Sequence, residues 1–163
     1  MSRRVFLNTC LMAGFALLGA CASTPPAPVS VADTAARTPE LSTLSGLIQQ
    51  SGLAEQLRGA GPYTVFAPSN DAFKAVPPAT MAHLAADKDL LRSVLSFHVL
   101  PAKLASAQVT NSSAKSVQGA SLALSKAGSF VTVEDAVVQS ADVPASNGVV
   151  HIIDRVLMPP VKK

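Results

Sequence analysis

Tyr63-Thr-Val-Phe-Ala-Pro-Ser-Asn-Asp-Ala-Phe73 and Asn147-Gly-Val-Val-His-Ile-Ile-Asp-Arg-Val-Leu-Met-Pro-Pro160 are the two stretches that decide the fold. In the first, Tyr63 to Phe66 is a short β-branched and aromatic run of the kind that fills a buried strand. Pro68 ends it, having no N–H to give to a ladder. Ser69 then stands where its hydroxyl can accept from a free backbone N–H and cap a helix, with Asp71 favourable in the first turn. In the second, Asn147-Gly148 reads as a tight turn, because both residues tolerate positive φ. Val149 to Leu157 follows as a strand, with His151 set among valines and isoleucines.

Outward from these blocks, the chain before Tyr63 is helical. Leu41, Leu44, Leu47 and Ile48 fall at helical spacing, with Pro39 near the start and Gly52 past the end. Leu53 and Leu57 mark a second short helix stopped by Gly59 and Gly61, and Gly61-Pro62 is a turn. After Phe73 a longer helix is expected from about Ala79 to Phe97, with Leu84, Leu91, Val94 and Leu95 as its inner stripe. His98 to Leu100 looks extended. From Ser116 onward five short runs read as strands: Val117, Leu122 with Leu124, Val131 with Val133, Val137-Val138, and Val149 to Leu157. Helices first and strands later on one core make an α+β domain.

Together, and at this separation, the two blocks resemble the signature blocks of the fasciclin domain family. The likeness runs from Pro39 to Pro160. It implies a single compact β-wedge of about seven strands flanked by helices, working as an extracytoplasmic adhesion and interaction module with no common catalytic site. Leu41, Ala102 and Glu134-Asp135 depart from the family pattern, at one core position and in loops. By the same resemblance two pairs are candidate partner-binding residues. Asp142-Val143 stands where animal members carry an Asp-Ile pair, and Phe97-His98 stands where they carry Tyr-His. The competing reading of both pairs is fold maintenance, with Asp142 as a turn residue and Val143 and Phe97 as core.

The first residues carry an export signal. Ser2-Arg-Arg-Val-Phe-Leu7 leads into an apolar stretch ending at Ala20, shorter than the ~20 apolar residues of a spanning helix. Residues 1–20 are read as a signal peptide, and Arg3 and Arg4 resemble the twin-arginine motif, although Asn8 stands where lysine is usual. Leu18-Gly-Ala-Cys21 resembles the lipobox of bacterial lipoproteins. Cys21 is therefore the expected lipidation site and membrane anchor, since several acyl chains hold stably where one does not. Ala22 after it, in place of Asp, implies the outer membrane. Residues 21–38, with Pro25, Pro26 and Pro28, read as an extended tether. The domain is then 39–160 and the tail 161–163.

Charge and chemistry narrow the function. The chain has 13 basic and 10 acidic side chains, but Arg3 and Arg4 lie in the leader, so 11 face 10 from Cys21 onward. The basic residues are scattered, which excludes a nucleic-acid footprint. No cysteine follows Cys21, so no disulfide is expected. His83, His98 and His151 lack metal-ligand spacing, and His98 and His151 read as structural histidines bonded to backbone. His151 and Asp154 lie three apart on a strand and point to opposite faces. No Gly-x-Ser-x-Gly elbow or phosphate loop is present. The expectation is a non-enzymatic cell-envelope lipoprotein with no cofactor, no metal and no small-molecule substrate. Its domain would bind a protein or extracellular polymer in adhesion. The alternative is a periplasmic structural or accessory protein.

Overall fold

The structure is a computed structural model and describes residues 29–160. Seven strands form one mixed sheet: β1 (Tyr63–Pro68), β2 (Val99–Leu100), β3 (Ser112–Lys115), β4 (Ser121–Ala127), β5 (Phe130–Val133), β6 (Ala136–Ala145) and β7 (Gly148–Ile153). Their order across the sheet is β2-β1-β7-β6-β5-β4-β3. β1 and β7 are parallel, in a register from Tyr63 opposite Gly148 to Pro68 opposite Ile153. The other neighbours run antiparallel. Six α-helices accompany them among the described residues: α1 (Val31–Arg37), α2 (Ser42–Ser51), α3 (Ala54–Arg58), α4 (Asn70–Lys74), α5 (Pro78–Ala86) and α6 (Lys88–Phe97). The seven-stranded wedge with flanking helices is the α+β architecture expected from the sequence.

The two signature strands lie side by side at the centre and separate two cores. Val65 and Ala67 of β1, with Val150 and Ile152 of β7, face a layer built from α1, α2, α3 and α6. Phe66 and Ile153 face the other way, against Phe97, Leu100, Leu122, Leu124 and Val131. Burial on both faces explains why these strands are continuous apolar runs while β4 alternates exposed and buried residues. The parallel pair requires a glycine at its entry. A Cβ on Gly148 would collide with the Tyr63 carbonyl, so the backbones meet only because no side chain stands between them.

Local chemistry sets the helix ends. Ser69 caps α4 as expected, its Oγ accepting from Ala72 N–H at 3.2 Å. The long helix expected from Ala79 to Phe97 is two. Asp87 leaves helical geometry (φ −112°, ψ 105°) and its carboxylate accepts from Asp89 and Leu90 N–H, ending α5 and starting α6. A cap residue outweighs helix propensity when its side chain satisfies the orphan donors of the next turn.

Three other expectations are corrected. The segment before Pro39 is not all tether. Val31 to Arg37 forms α1, whose Val31, Ala32 and Ala35 are buried in the helix-side core. Ser30 caps it, and Ser146 N–H bonds back to Val29 at 2.9 Å. The folded body therefore begins about ten residues before Pro39, because alanine and valine bury well once a cap starts the turn. Residues 1–28 and 161–163, with the export signal, Cys21, most of the tether and the tail, lie outside the described residues. Val117 is not in a strand, and the serine-rich β3 supplies the first of the late strands instead. Neither Asn147 nor Gly148 has positive φ; Glu134 (φ 52°) and Asp142 (φ 58°) do. What Asn147 contributes is its amide. Nδ2 donates to the Leu57 and Gly59 carbonyls at 2.8 and 2.7 Å, and Oδ1 accepts from Val31 N–H at 2.9 Å. Asn70, in the first block, does the same for α2, accepting from Thr43 N–H and donating to the Pro39 carbonyl. Asn147 thus ties the helical layer to the sheet, and Asn70 ties α4 to the start of α2.

Candidate partner-binding site

The two candidate pairs have opposite positions. Phe97 and His98 are each about 1% exposed. Phe97 fills the strand-side core. His98 follows the last turn of α6, where its Nδ1–H donates to the Val94 carbonyl at 2.8 Å and its Nε2 accepts from Leu157 N–H at 2.9 Å. Because Nε2 accepts an N–H, the ring is neutral, and burial pushes its pKa down to about 4. The pair offers no surface to a partner. It belongs to the fold, and the candidate contact read from sequence is corrected on that ground.

Asp142 and Val143 are at the surface. Asp142 is exposed, whereas Val143 is half-buried and packs on the helix-side core. The register of β6 against β7 shifts between Ser140 and Val143, so a bulge stands out there. Asp142 is therefore a bulge residue within a strand and not a loop residue. Its left-handed backbone is one that Asp tolerates better than most side chains. Its carboxylate accepts from Ser106 N–H at 2.8 Å and from the Ser106 hydroxyl. The Ser106 hydroxyl and then its backbone N–H hold the carboxyl below the usual carboxylate range, against a desolvation cost, with the charge of Lys126 contributing less.

These bonds pin the connection from β2 to β3 across the sheet. His151 Nδ1 accepts from Asp142 N–H at 3.2 Å, which leaves the proton on Nε2, and that nitrogen donates to the Leu104 carbonyl at 2.8 Å. The His151 ring stacks on Phe66, centroids 5.6 Å apart. Thr64 Oγ1 donates to the Ala102 carbonyl at 2.6 Å and accepts from Leu104 N–H at 2.8 Å. Lys126 Nζ donates to the Ser106 carbonyl at 2.9 Å. A strap over residues 102–107 is thereby held by Thr64, Lys126, Asp142 and His151.

Ser106, Asp142 and His151 meet here, which the sequence did not foretell, yet they are not a hydrolytic triad. Both His151 nitrogens are taken by backbone groups, so no base is free to take the Ser106 proton. Asp154 accepts from Val137 N–H at 2.8 Å and does not pair with His151. No cluster of three metal-ligating side chains occurs among the described residues. No helix among them is long and apolar enough to cross a membrane. What the site presents is a rigid bulge with an ionised carboxylate and an apolar neighbour, a shape suited to contact. The buried hydrogen-bonded role of His98 and His151 was legible from their apolar context. The strap was not, because Thr64, Ser106 and Lys126 carry no signal until the sheet brings them together.

Comparison with known proteins agrees with this architecture. A family model described as the Fasciclin domain matches residues 39–159. Protein sll1483 of Synechocystis sp. is 42% identical over 135 residues, covering 82% of this chain and 75% of that protein. The immunogenic protein MPB70 of Mycobacterium bovis is 38% identical over 138 residues, covering 82% of this chain and 69% of the relative. The transforming growth factor-beta-induced protein ig-h3 of Sus scrofa is 40% identical over 141 residues. That match covers 86% of this chain, and the chain spans only a fifth of ig-h3. Among solved structures, a FAS1 domain pair from the insect cell adhesion molecule Fasciclin I superposes with a TM-score of 0.62. It is 15% identical and covers 82% of this chain and 51% of the other, so it speaks for the fold. The chain belongs to the fasciclin domain family. The matching family is of the adhesion type, and no enzyme family is indicated.

Proposed function

We propose that this chain is a lipid-anchored protein of the bacterial cell envelope, fixed through Cys21, whose fasciclin domain binds a protein or an extracellular polymer in adhesion. The family match over residues 39–159 carries the reading. Two observations support its finer parts. A relative 36% identical, from Mycobacterium bovis, bears the name cell surface glycolipoprotein MPB83. The exposed Asp142-Val143 bulge is held rigid from below, so contact there costs little ordering entropy. Export follows the leader, with Arg3 and Arg4 directing the twin-arginine route, and Ala22 after the cysteine directs the protein to the outer membrane.

Three measurements test this. Cys21→Ser removes labelling by a fatty-acid analogue and releases the protein to the soluble fraction or leaves it unprocessed; labelling that survives the change refutes the anchor. Protease treatment of intact cells removes an outward-facing adhesin, whereas complete protection assigns the protein to the periplasmic accessory role. Capture of envelope or matrix components by the wild-type chain, weakened by changes at Asp142 and Val143 that leave the fold intact, identifies the contact.

A further inference from the structure

β1 and β7 are the parallel pair of the sheet. Parallel neighbours send their carboxyl ends the same way, and in sheets with such strands the crevice beyond those ends is where ligands sit. Here the chain leaving β1 turns into α4 and its link to α5, and the chain leaving β7 continues to Met158. Between them lies a hollow of about 540 Å³, bounded by Ala72, Val76 and Thr80 on one side and by Arg155, Val156 and Met158 on the other. That volume is in the range of small-molecule sites. Both signature blocks contribute to its walls.

The walls state what would fit. Most of the lining is apolar, and Met158 is 45% exposed, an adaptable thioether left facing solvent. Two groups are polar, the Thr80 hydroxyl and the Arg155 guanidinium. The ion pairs among the described residues join Arg58 to Asp33 and Glu55, and Lys74 to Asp71; none engages Arg155. A second hollow, which shares Arg155, Val156 and Met158 with the first, is lined in addition by Glu134 and Asp135. Arg155 thus borders both an apolar hollow and an acidic one. An apolar body with one singly charged head suits this arrangement. A guanidinium meets a carboxylate through two parallel bonds, while a more highly charged phosphate would meet repulsion from Glu134 and Asp135.

We propose that this hollow binds an aliphatic carboxylate of medium chain length, with the alkyl chain against Val76, Val156 and Met158 and the carboxylate on Arg155. The test is photo-crosslinking of the full chain with a diazirine-bearing decanoate, followed by peptide mapping. Label is expected on peptides containing Ala72 to Thr80 and Arg155 to Met158, displaced by decanoate and not by decanol. Arg155→Gln should lower occupancy about fivefold, the order expected for one exposed charge-assisted contact, with Arg155→Lys recovering part of it. Ala75 also lines the hollow, and Ala75→Trp, which fills it and leaves the charge, should remove the label. Equal displacement by decanol, label elsewhere or none, or Arg155→Gln without effect overturns the proposal. Stronger displacement by an apolar peptide with a free C-terminal carboxylate also overturns it and assigns the hollow to a protein terminus.

Discussion

Phe97-His98 and Asp142-Val143 are both an apolar residue beside a polar one, and in sequence either pair suits a contact. In the fold they part completely. The first is sealed at the end of α6 between the two cores, where His98 can stay only because both ring nitrogens find backbone partners. The second stands on a bulge, where Asp142 keeps its charge in water and uses Ser106 to hold its shape. Burial turns a polar side chain into a fixed joint, and exposure leaves it free to be a contact.

The sharpest way to break this contrast is Phe97→Ala. If Phe97 is core, truncation should cost about 3–5 kcal/mol, seen as a large fall in Tm, with partner binding lost only as far as unfolding explains. A Phe97→Ala chain that melts like wild type and still loses a partner would reverse its assignment. A comparable test applies to the helix-side core. A chain beginning at Pro39 lacks α1, leaves the Val31, Ala32 and Ala35 sites open and strips Asn147 Oδ1 of its donor. It should be less stable than one beginning before Val29 by roughly 3 kcal/mol, measured by denaturant melts of the two fragments.

Acid separates the pairs by pH. His98 has an ordinary value of 6.5 and a folded value of about 4. The unfolded chain therefore binds a proton that the folded chain refuses, and stability contributed by neutral His98 is full above pH 6.5 and lost as pH falls toward 4. The loss should be on the order of 3 kcal/mol, and His98→Gln, which keeps a donor and an acceptor, should flatten it. Asp142 is also shifted downward, but from 3.8, so its contribution is present above that value and fades only below it, in a more acid window than that of His98. Unfolding curves across this range for wild type and His98→Gln would show whether the higher window belongs to His98. The smallest effect is expected of Asp142→Asn, about 1 kcal/mol or less, because Asn keeps the left-handed backbone and one Ser106 bond. A partner that binds the bulge through its charge should weaken far more than stability does.

The sequence carried the elements whose signal is local. The apolar runs of β1 and β7, the Ser69 cap and the α2 stripe were each legible from a few neighbours, and so was the wedge once both blocks were seen together. What escaped depends on distant partners. β3 is serine and alanine, and it is a strand only because Ser113 and Ala114 find Ala123 and Leu122 on β4. α1 lies among prolines and small residues that read as tether, and it folds only against a core supplied by α2, α3 and β7. Asp87 had the composition of a helix interior, and its capping role appears only in its backbone angles. Asn147 reads as a turn residue for its conformational tolerance, whereas its amide joins the start of α1 and the end of α3.

The placing of β7 between β1 and β6 also bears on how the molecule is made. Tyr63 cannot meet Gly148 until everything between them has been synthesised, and closing so long a loop is slow. Neither core can be completed beforehand, because β7 supplies side chains to both. A nascent chain stopped short of Gly148 would carry the open edges of β1 and β6 together. Such edges recruit other strands, so the chain is most exposed to misassembly in the interval before its second block emerges.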